Sequence, residues 1–151
     1  MVIRFVADRM LGRLAKWLRI LGYDTHYQPF YQGPVMDQYI KDGRLLLSRK
    51  RSTTENYTNS FLIKADTVKS QLNEMRNSNY IKSARSMWLT RCLVCNSLLQ
   101  KASPETARDM VPEYVYNQNH KDIRFCGSCE HYLWPGSHRD RIINQLKMWG
   151  F

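Results

Sequence analysis

The stretch RFVADRMLGRLAKWLRILGYDT, residues 4–25, predicts a strand, a helix and a second strand in direct succession. Val2–Ala7 is a short apolar run that ends at an acid, which is typical of a buried strand. Across Met10–Leu21 the apolar residues recur at the spacing of one helix face, and Gly22 supplies the expected end of that helix. Tyr23–Tyr27 then predicts a second, short strand.

The alternation of strands and helices continues along the chain. Leu45–Leu47 and Phe61–Ala65 are apolar runs that predict two further strands. A helix is predicted from Pro34 to about Lys41, because proline suits the first turn of a helix. Another helix is predicted after Phe61–Ala65, with Leu72 on its apolar face. Strands that alternate with helices are typical of a parallel sheet, so we predict an α/β domain.

Two polar segments interrupt this pattern. Ser52–Ser60 predicts a loop, and Asn77–Arg85 predicts a basic linker. We therefore expect the α/β domain to cover residues 1–86 and a second domain to cover residues 87–151.

The second domain contains all the cysteines of the chain, arranged as two C-x-x-C pairs: Cys92, Cys95, Cys126 and Cys129. Two sulfur atoms of one pair can approach the same ion, and a second pair completes a tetrahedral four-thiolate site. Four protein ligands leave no position open for water, so the pattern predicts structural zinc. A redox function would need two separate active pairs. We interpret His131 and His138 as capping or surface residues rather than ligands.

Short strands are expected around these cysteines, at Met87–Arg91, Ile123–Cys126 and Tyr132–Trp134. They predict a small zinc ribbon that follows the α/β domain. Ser103-Pro104-Glu105 predicts the start of an inserted helix. Ser137-His138-Arg139-Asp140 predicts an N-cap with an acid at the third helical position, which starts a last helix that runs through Met148.

The chain is strongly basic, with a formal net charge of +10. Residues 1–88 hold 15 Lys and Arg against 7 Asp and Glu, a difference of +8, so most of the excess lies in the first part. This balance favours an anionic partner, and we predict nucleic acid over a merely solubilising surface. No apolar run reaches the roughly 18 residues of a membrane span, and no signal peptide is evident, so we expect a cytoplasmic protein, with a location inside an organelle as the alternative.

One face of the first predicted helix combines cations with an aromatic ring. At 100° per residue Arg9, Arg13 and Lys16 lie together, with Trp17 near them. Such a face is typical of a solvated helix and also of a helix that contacts nucleic acid. A second group of cations, Arg49, Lys50 and Arg51, follows the strand in LLLSRKRS, residues 45–52. We predict RNA contacts at both groups.

Acids follow two of the predicted strands. Asp8 and Asp66 both come after apolar runs, and Asp37 and Asp42 lie on the intervening helix. Functional sites in open parallel sheets form beyond the carboxyl ends of the strands. Several carboxylates at that edge are the ligands that a nuclease uses for magnesium or manganese, although an aspartate at a strand end is often only a cap.

Several motifs together make the chain resemble the Mut-seven C-terminal domain family, a PIN-like ribonuclease fold joined to a zinc ribbon. The resemblance runs through RFVADRMLGRLAKWLRILGYDT, DGRLLLSR, Gln71-Leu72, TRCLVCNSLL, VPEYVY and FCGSCEHYLWPGSHRDRI, and so covers nearly the whole chain. It implies a PIN-like parallel sheet flanked by helices and a metal-dependent endoribonuclease in which Asp8 binds the metal. The resemblance assigns Asp37 and Asp66 to the same acid cluster less firmly than Asp8.

The chain departs from the family pattern at the strand that ends in LLLSRK. The family has Thr-Arg-Asp there, whereas this sequence has Ser48-Arg49-Lys50. An ammonium group cannot ligate a metal ion and repels one, so we expect Lys50 to stand beside Asp8 and Asp66 and neutralise them. A shifted loop in which Glu55 supplies the carboxylate is the alternative.

Three functions follow from these observations. The first is an RNA-binding protein on a catalytically degenerate nuclease fold, with zinc as its only metal. The second is an active endoribonuclease that uses magnesium or manganese. The third is a structural component of a large ribonucleoprotein such as the ribosome. The departure at Lys50 favours the first and the third.

Overall fold

The computed structural model describes residues 2–151, which form two compact units, one ending at Asn96 and one running from Ser97 to Phe151. The first unit contains a parallel sheet with helices, and the second contains a small antiparallel sheet with helices. Within the described residues no helix has the length and apolarity that crossing a bilayer requires.

Strands and helices alternate along the first unit, as predicted. Its elements are β1 (Phe5–Ala7), α1 (Gly12–Ile20), β2 (Thr25–Tyr27), α2 (Gly33–Lys41), β3 (Leu45–Ser48), α3 (Arg51–Glu55), β4 (Ser60–Leu62) and α4 (Val68–Asn77). A single 3₁₀ turn, Arg9–Leu11, joins β1 to α1.

The four strands form a parallel sheet in the order β2-β1-β3-β4. Every residue of the two central strands, β1 and β3, is buried, because a parallel sheet is covered on both faces. Ala7 lies opposite Tyr27 on one side and Leu47 on the other. The carboxyl ends of these strands therefore meet at one edge, directly before Asp8. The predicted α/β class is confirmed.

The predicted loop Ser52–Ser60 is wrong in its first half, where α3 forms a short helix. The backbone N–H of Thr54 donates to the Lys50 carbonyl at 3.1 Å and closes the first turn of this helix. The helix has no buried residue, so hydrophobic periodicity could not reveal it.

The predicted linker Asn77–Arg85 packs onto the first unit. Ile81 is buried, and the Tyr23 hydroxyl accepts from the Lys82 N–H at 2.7 Å and donates to the Lys82 carbonyl at 3.1 Å. These contacts hold the segment after α4 in place.

The second unit is built on an antiparallel sheet with the strand order β5-β6-β7. Its elements are β5 (Gln100–Lys101), α5 (Pro104–Met110), α6 (Glu113–Asn119), β6 (Arg124–Cys126), β7 (His131–Leu133) and α7 (Ser137–Met148). A small core fills this unit, formed by Ala102, Ala107, Val111, Val115 and Ile123.

Most of the predicted elements of this unit are confirmed. The Ser103 hydroxyl accepts from the Thr106 N–H at 3.3 Å and so caps α5. The last helix, α7, ends at Met148 as predicted, but its N-cap is Gly136 rather than Ser137. The predicted strand Met87–Arg91 is wrong. Arg85–Met87 forms a 3₁₀ turn, and Leu89 has a φ of 58°, which a strand does not allow. The first strand of the sheet is β5 instead.

Candidate functional site

Asp8 lies at the carboxyl end of β1, where the chain leaves the sheet. Its Oδ1 atom accepts from the Arg9 N–H at 2.7 Å, and its Oδ2 atom accepts from the Ser48 hydroxyl at 2.8 Å. The backbone of Asp8 is also fixed, since its N–H donates to the Leu47 carbonyl at 2.9 Å. The carboxylate is half-buried and held in one orientation at the edge of the sheet.

Ser48 connects Asp8 to the cationic segment that follows β3. Its hydroxyl is completely buried, donates to Asp8 and accepts from the Lys50 N–H at 3.1 Å. This turn directs the Lys50 side chain into solvent, where its ammonium group forms no hydrogen bond or ion pair with a described residue.

The cation that pairs with Asp66 is Arg49. Its guanidinium donates to Asp66 Oδ1 at 2.5 Å, although the Asp66 side chain is 88% exposed. The contact expected from Lys50 is therefore made by the neighbouring residue.

Asp37 lies within α2 and is engaged by a residue that sequence analysis did not identify. The Tyr57 hydroxyl donates a short hydrogen bond to Asp37 Oδ1. That hydrogen bond raises the pKa of the Tyr57 phenol, and burial adds to the effect. Asp42 lies at the end of α2, where its carbonyl accepts from Arg4, the residue before β1. Asp42 therefore lies where the strands begin, at the end of the sheet opposite to Asp8.

The structure gives each predicted acid a separate protein partner. Asp8 is bound by Ser48, Asp37 by Tyr57 and Asp66 by Arg49. Within residues 2–151, neither these acids nor Glu55 form a group of three or more that is placed to share a metal ion.

The predicted basic face is present beside this edge. Arg9, Arg13 and Lys16 are exposed along the 3₁₀ turn and α1, and Trp17 is half-buried. Arg51, at the start of α3, is also exposed, and Arg49 is partly exposed. Cations therefore flank Asp8 both in the segment that follows β1 and in the segment that follows β3.

The four cysteines lie in two turns with the same backbone pattern. Asn96 donates its N–H to the Cys92 carbonyl at 2.9 Å, and Glu130 donates to the Cys126 carbonyl at 2.8 Å. Both Asn96 and Glu130 have a positive φ, of 72° and 58°. In the second turn the Cys129 N–H also donates to the sulfur of Cys126 at 3.4 Å. The repeated pattern presents two sulfur atoms from each turn.

These sulfur atoms form the one group of described side chains that is placed to hold a metal ion. All four Sγ atoms lie within 4.8 Å of one another, and Cys92 and Cys126 are buried. Tetrahedral coordination at a metal–sulfur distance of about 2.3 Å requires sulfur atoms about 3.8 Å apart. The donor set and its spacing therefore fit a structural metal ion, and His131 is not part of the group.

Arg19 supports the first of these turns from α1. It is buried, and its Nη1 atom donates to the Leu93 and Val94 carbonyls at 3.1 and 3.2 Å. Its Nε atom donates to the Thr25 carbonyl at 2.9 Å. Burial lowers the pKa of Arg19, while the negative charges of Cys95 and Cys92 act in the opposite direction.

Sequence analysis missed Arg19 and Tyr57 for different reasons. Arg19 lies next to Ile20 at the end of a helix whose apolar face is buried. A cation is rarely buried without a partner, so its position could have indicated that Arg19 binds another part of the protein. Tyr57 gave no signal, since its partner Asp37 is 20 residues away in a different element.

A parallel α/β sheet, together with four cysteines that are placed to hold one metal ion, defines the class of this protein. Within that class, the sequence profile of the Mut7-C RNAse domain family matches residues 3–146. The chain therefore belongs to that family, and the match indicates a ribonuclease-like or RNA-related function. No curated protein and no solved structure gives a significant match.

Proposed function

We propose that this protein binds RNA on a PIN-like ribonuclease fold whose catalytic site is degenerate. The observation that carries this proposal is the dispersal of the acids at the sheet edge. Asp8, Asp37 and Asp66 are each bound to a different protein donor and, among the described residues, do not form a group of three or more ligands for one metal ion. Hydrolysis with one or two metal ions needs carboxylates that converge on the ion.

The charge at the same edge supports the proposal. The family resemblance implies an acid at position 50, where this chain has a lysine. Lys50 follows Arg49, which already neutralises Asp66 through an ion pair. Cations near a metal site oppose metal entry, whereas the same cations favour the phosphates of RNA.

The exposed cations supply a surface for the RNA backbone. Arg9, Arg13 and Lys16 lie along one segment, and the excess positive charge of the chain lies mainly in residues 1–88. Contacts of this kind bind phosphates without reading the base sequence. The same contacts would serve a protein that works inside a larger ribonucleoprotein.

Zinc is the metal we propose for the four cysteines. A thiolate set of this kind selects zinc or an iron–sulfur cluster, and two C-x-x-C turns, the second of which directly follows β6, are typical of a zinc ribbon. With four thiolate ligands the ion would stabilise the fold, and the proposal assigns it no catalytic step.

Activity of the purified protein tests the proposal directly. Structured and single-stranded RNA are incubated with the wild-type protein and magnesium or manganese, and binding and cleavage are measured on the same samples. We expect salt-dependent binding without cleavage. Lys50→Asp tests whether an acid at this position restores manganese binding and weak cleavage, with Lys50→Ala as the control for loss of charge alone.

The alternative function is an active endoribonuclease, which family membership favours. In that case Asp8 would be essential, because it is the acid that the family resemblance assigns most firmly. Cleavage by the wild-type protein that disappears in Asp8→Asn would establish this alternative and overturn the degenerate site. Failure of the wild-type protein to bind any RNA would overturn both functions.

A further inference from the structure

The segment after β2 carries an exposed aromatic ring. Phe30 is 66% exposed, whereas most aromatic rings of this unit are buried or half-buried. An isolated exposed side chain of this kind needs no explanation by itself. The contacts of its neighbours are what make Phe30 unusual.

Two tyrosines fix the segment against the chain on either side of Asp8. The Tyr27 hydroxyl donates to the Arg9 carbonyl at 2.9 Å, and the Tyr31 hydroxyl donates to the Ala7 carbonyl at 2.8 Å. Phe30 lies between these tyrosines in sequence, so its backbone is held next to the carboxyl end of β1.

Further features keep this arrangement rigid. The Gln28 N–H donates to the Tyr31 hydroxyl at 3.0 Å and closes the segment into a turn. Burial raises the pKa of Tyr31 to about 12. Gly12 leaves room for Tyr27, since a Cβ atom there would stand 2.8 Å from the Tyr27 hydroxyl oxygen. The ring of Phe30 is thus presented from a fixed backbone.

We propose that Phe30 stacks on an unpaired base of RNA whose backbone lies on the cations around Asp8. Arg9 directly follows Asp8 and is exposed, and Lys50 is joined to Asp8 through Ser48. Aromatic rings interleaved with cations are the usual platform for single-stranded nucleic acid, because every base has a face that can stack. Paired bases are already stacked within their helix, so the platform selects single strands over duplex.

This inference rests on the proposed function and names the class of RNA that the site selects. The experiment measures the affinity of the full chain for a single-stranded oligonucleotide and for a duplex of the same length, over a range of salt concentrations. Phe30→Ala should weaken single-strand binding about 5- to 100-fold and leave duplex binding unchanged. Phe30→Trp should keep the wild-type affinity for the single strand, whereas Phe30→Leu should weaken it as Phe30→Ala does.

The salt dependence separates stacking from charge. Phe30→Ala removes no cation, so the slope of affinity against salt should equal that of the wild-type protein. Tyr114→Ala is the matched control, because Tyr114 is an exposed aromatic residue, 65% accessible, on α6 of the other unit. It should bind both RNAs as the wild-type protein does.

The outcomes distinguish the role of Phe30 from RNA binding by the protein as a whole. Unchanged single-strand affinity in Phe30→Ala, or equal losses for single strand and duplex, would overturn the role of Phe30 and leave RNA binding intact. A wild-type protein that binds neither RNA would overturn the proposed function itself.

Discussion

The hydroxyl of Ser48 donates a hydrogen bond of 2.8 Å to Oδ2 of Asp8, across 40 residues of sequence. Ser48 ends β3 and Asp8 follows β1, so this bond joins the ends of the two central strands. The same hydroxyl accepts from the Lys50 N–H, which fixes how the cationic segment leaves the sheet.

Ser48→Ala should lower the free energy of unfolding. The substitution removes the hydrogen bonds that the Ser48 hydroxyl forms with Asp8 Oδ2 and with the Lys50 N–H, both of them partly buried, at a cost of about 1 kcal/mol. Unfolding in urea should show a lower midpoint with an unchanged slope. Ser52→Ala, at an exposed position of α3, is the control. Equal midpoints for the two variants would show that the bond contributes nothing.

The protein should contain about one zinc ion per chain. Removing the ion with a chelator should unfold the region around the cysteines, because folding and metal binding are coupled in small sites. Cys126→Ser should lose the metal, whereas Ser128→Ala, within the same turn, should retain it. Metal analysis combined with circular dichroism measures both effects. Clearly less than one equivalent in a protein with reduced cysteines would contradict the prediction.

Arg19→Gln should weaken zinc binding about 10- to 100-fold, the usual effect of losing a residue that orients a metal ligand. Arg19 holds the Leu93 and Val94 carbonyls between two of the ligands, and its cation offsets the negative charge of a zinc ion bound to four thiolates. Competition with a chromophoric chelator measures the affinity.

Two comparisons make this effect specific to Arg19. Arg13 lies on the same helix but is exposed, so the Arg13→Gln variant should bind zinc normally. Cys129→His replaces one thiolate by a neutral ligand and reduces the negative charge of the site. If charge compensation is important, Arg19→Gln should cost less affinity in the Cys129→His background. An equal loss of zinc affinity in both backgrounds would indicate that Arg19 acts through packing alone and not through its charge.

The sequence predicted those parts of the fold that depend on neighbouring residues. The apolar runs of β1 and β3 and the spacing in α1 are local signals, and the structure confirms them. The run Met87–Arg91 was misleading, because the positive φ of Leu89 depends on a bond from its N–H to the Ile20 carbonyl. Propensity alone cannot reveal such a tertiary contact.

The residue types of the candidate site could be predicted from the sequence, but the pairs that these residues form could not. Asp8 follows its strand as the pattern requires, whereas the choice of Arg49 over Lys50 as the partner of Asp66 depends on the turn after Ser48. The bond from Tyr57 to Asp37 joins the loop after α3 to α2, and no periodicity relates the two residues.

Reversing the charge of the basic face should weaken RNA binding more than reversing distant cations. The variant with Arg13→Glu and Lys16→Glu should lose affinity, and its slope of log affinity against log salt should become shallower by about 0.7 to 0.9 for each phosphate that the protein no longer neutralises. The variant with Lys101→Glu and Lys147→Glu has the same change in net charge and is the control. Equal losses of RNA affinity in both variants would show that the binding surface does not lie on α1.

Asp24 should contribute stability that depends on pH. Burial alone would raise the pKa of Asp24, but hydrogen bonds from Arg44 and Asn96, together with the charges of Arg44 and Arg91, hold it below the usual value. A carboxylate with a lowered pKa stabilises the folded state above its unfolded pKa of about 3.9, and this stabilisation is lost as the pH falls through the folded pKa.

Asp24→Asn should therefore be less stable than the wild-type protein at neutral pH, by about 1 kcal/mol after screening by solvent. The difference between the two should shrink as the pH falls below about 4, because the wild-type carboxyl group becomes neutral as well. Urea unfolding at a series of pH values measures the difference. Asp109→Asn, at an exposed position of α5, should show no such trend. A constant difference between Asp24→Asn and the wild-type protein from about pH 7 to about pH 3 would show that the lowered pKa of Asp24 does not stabilise the fold.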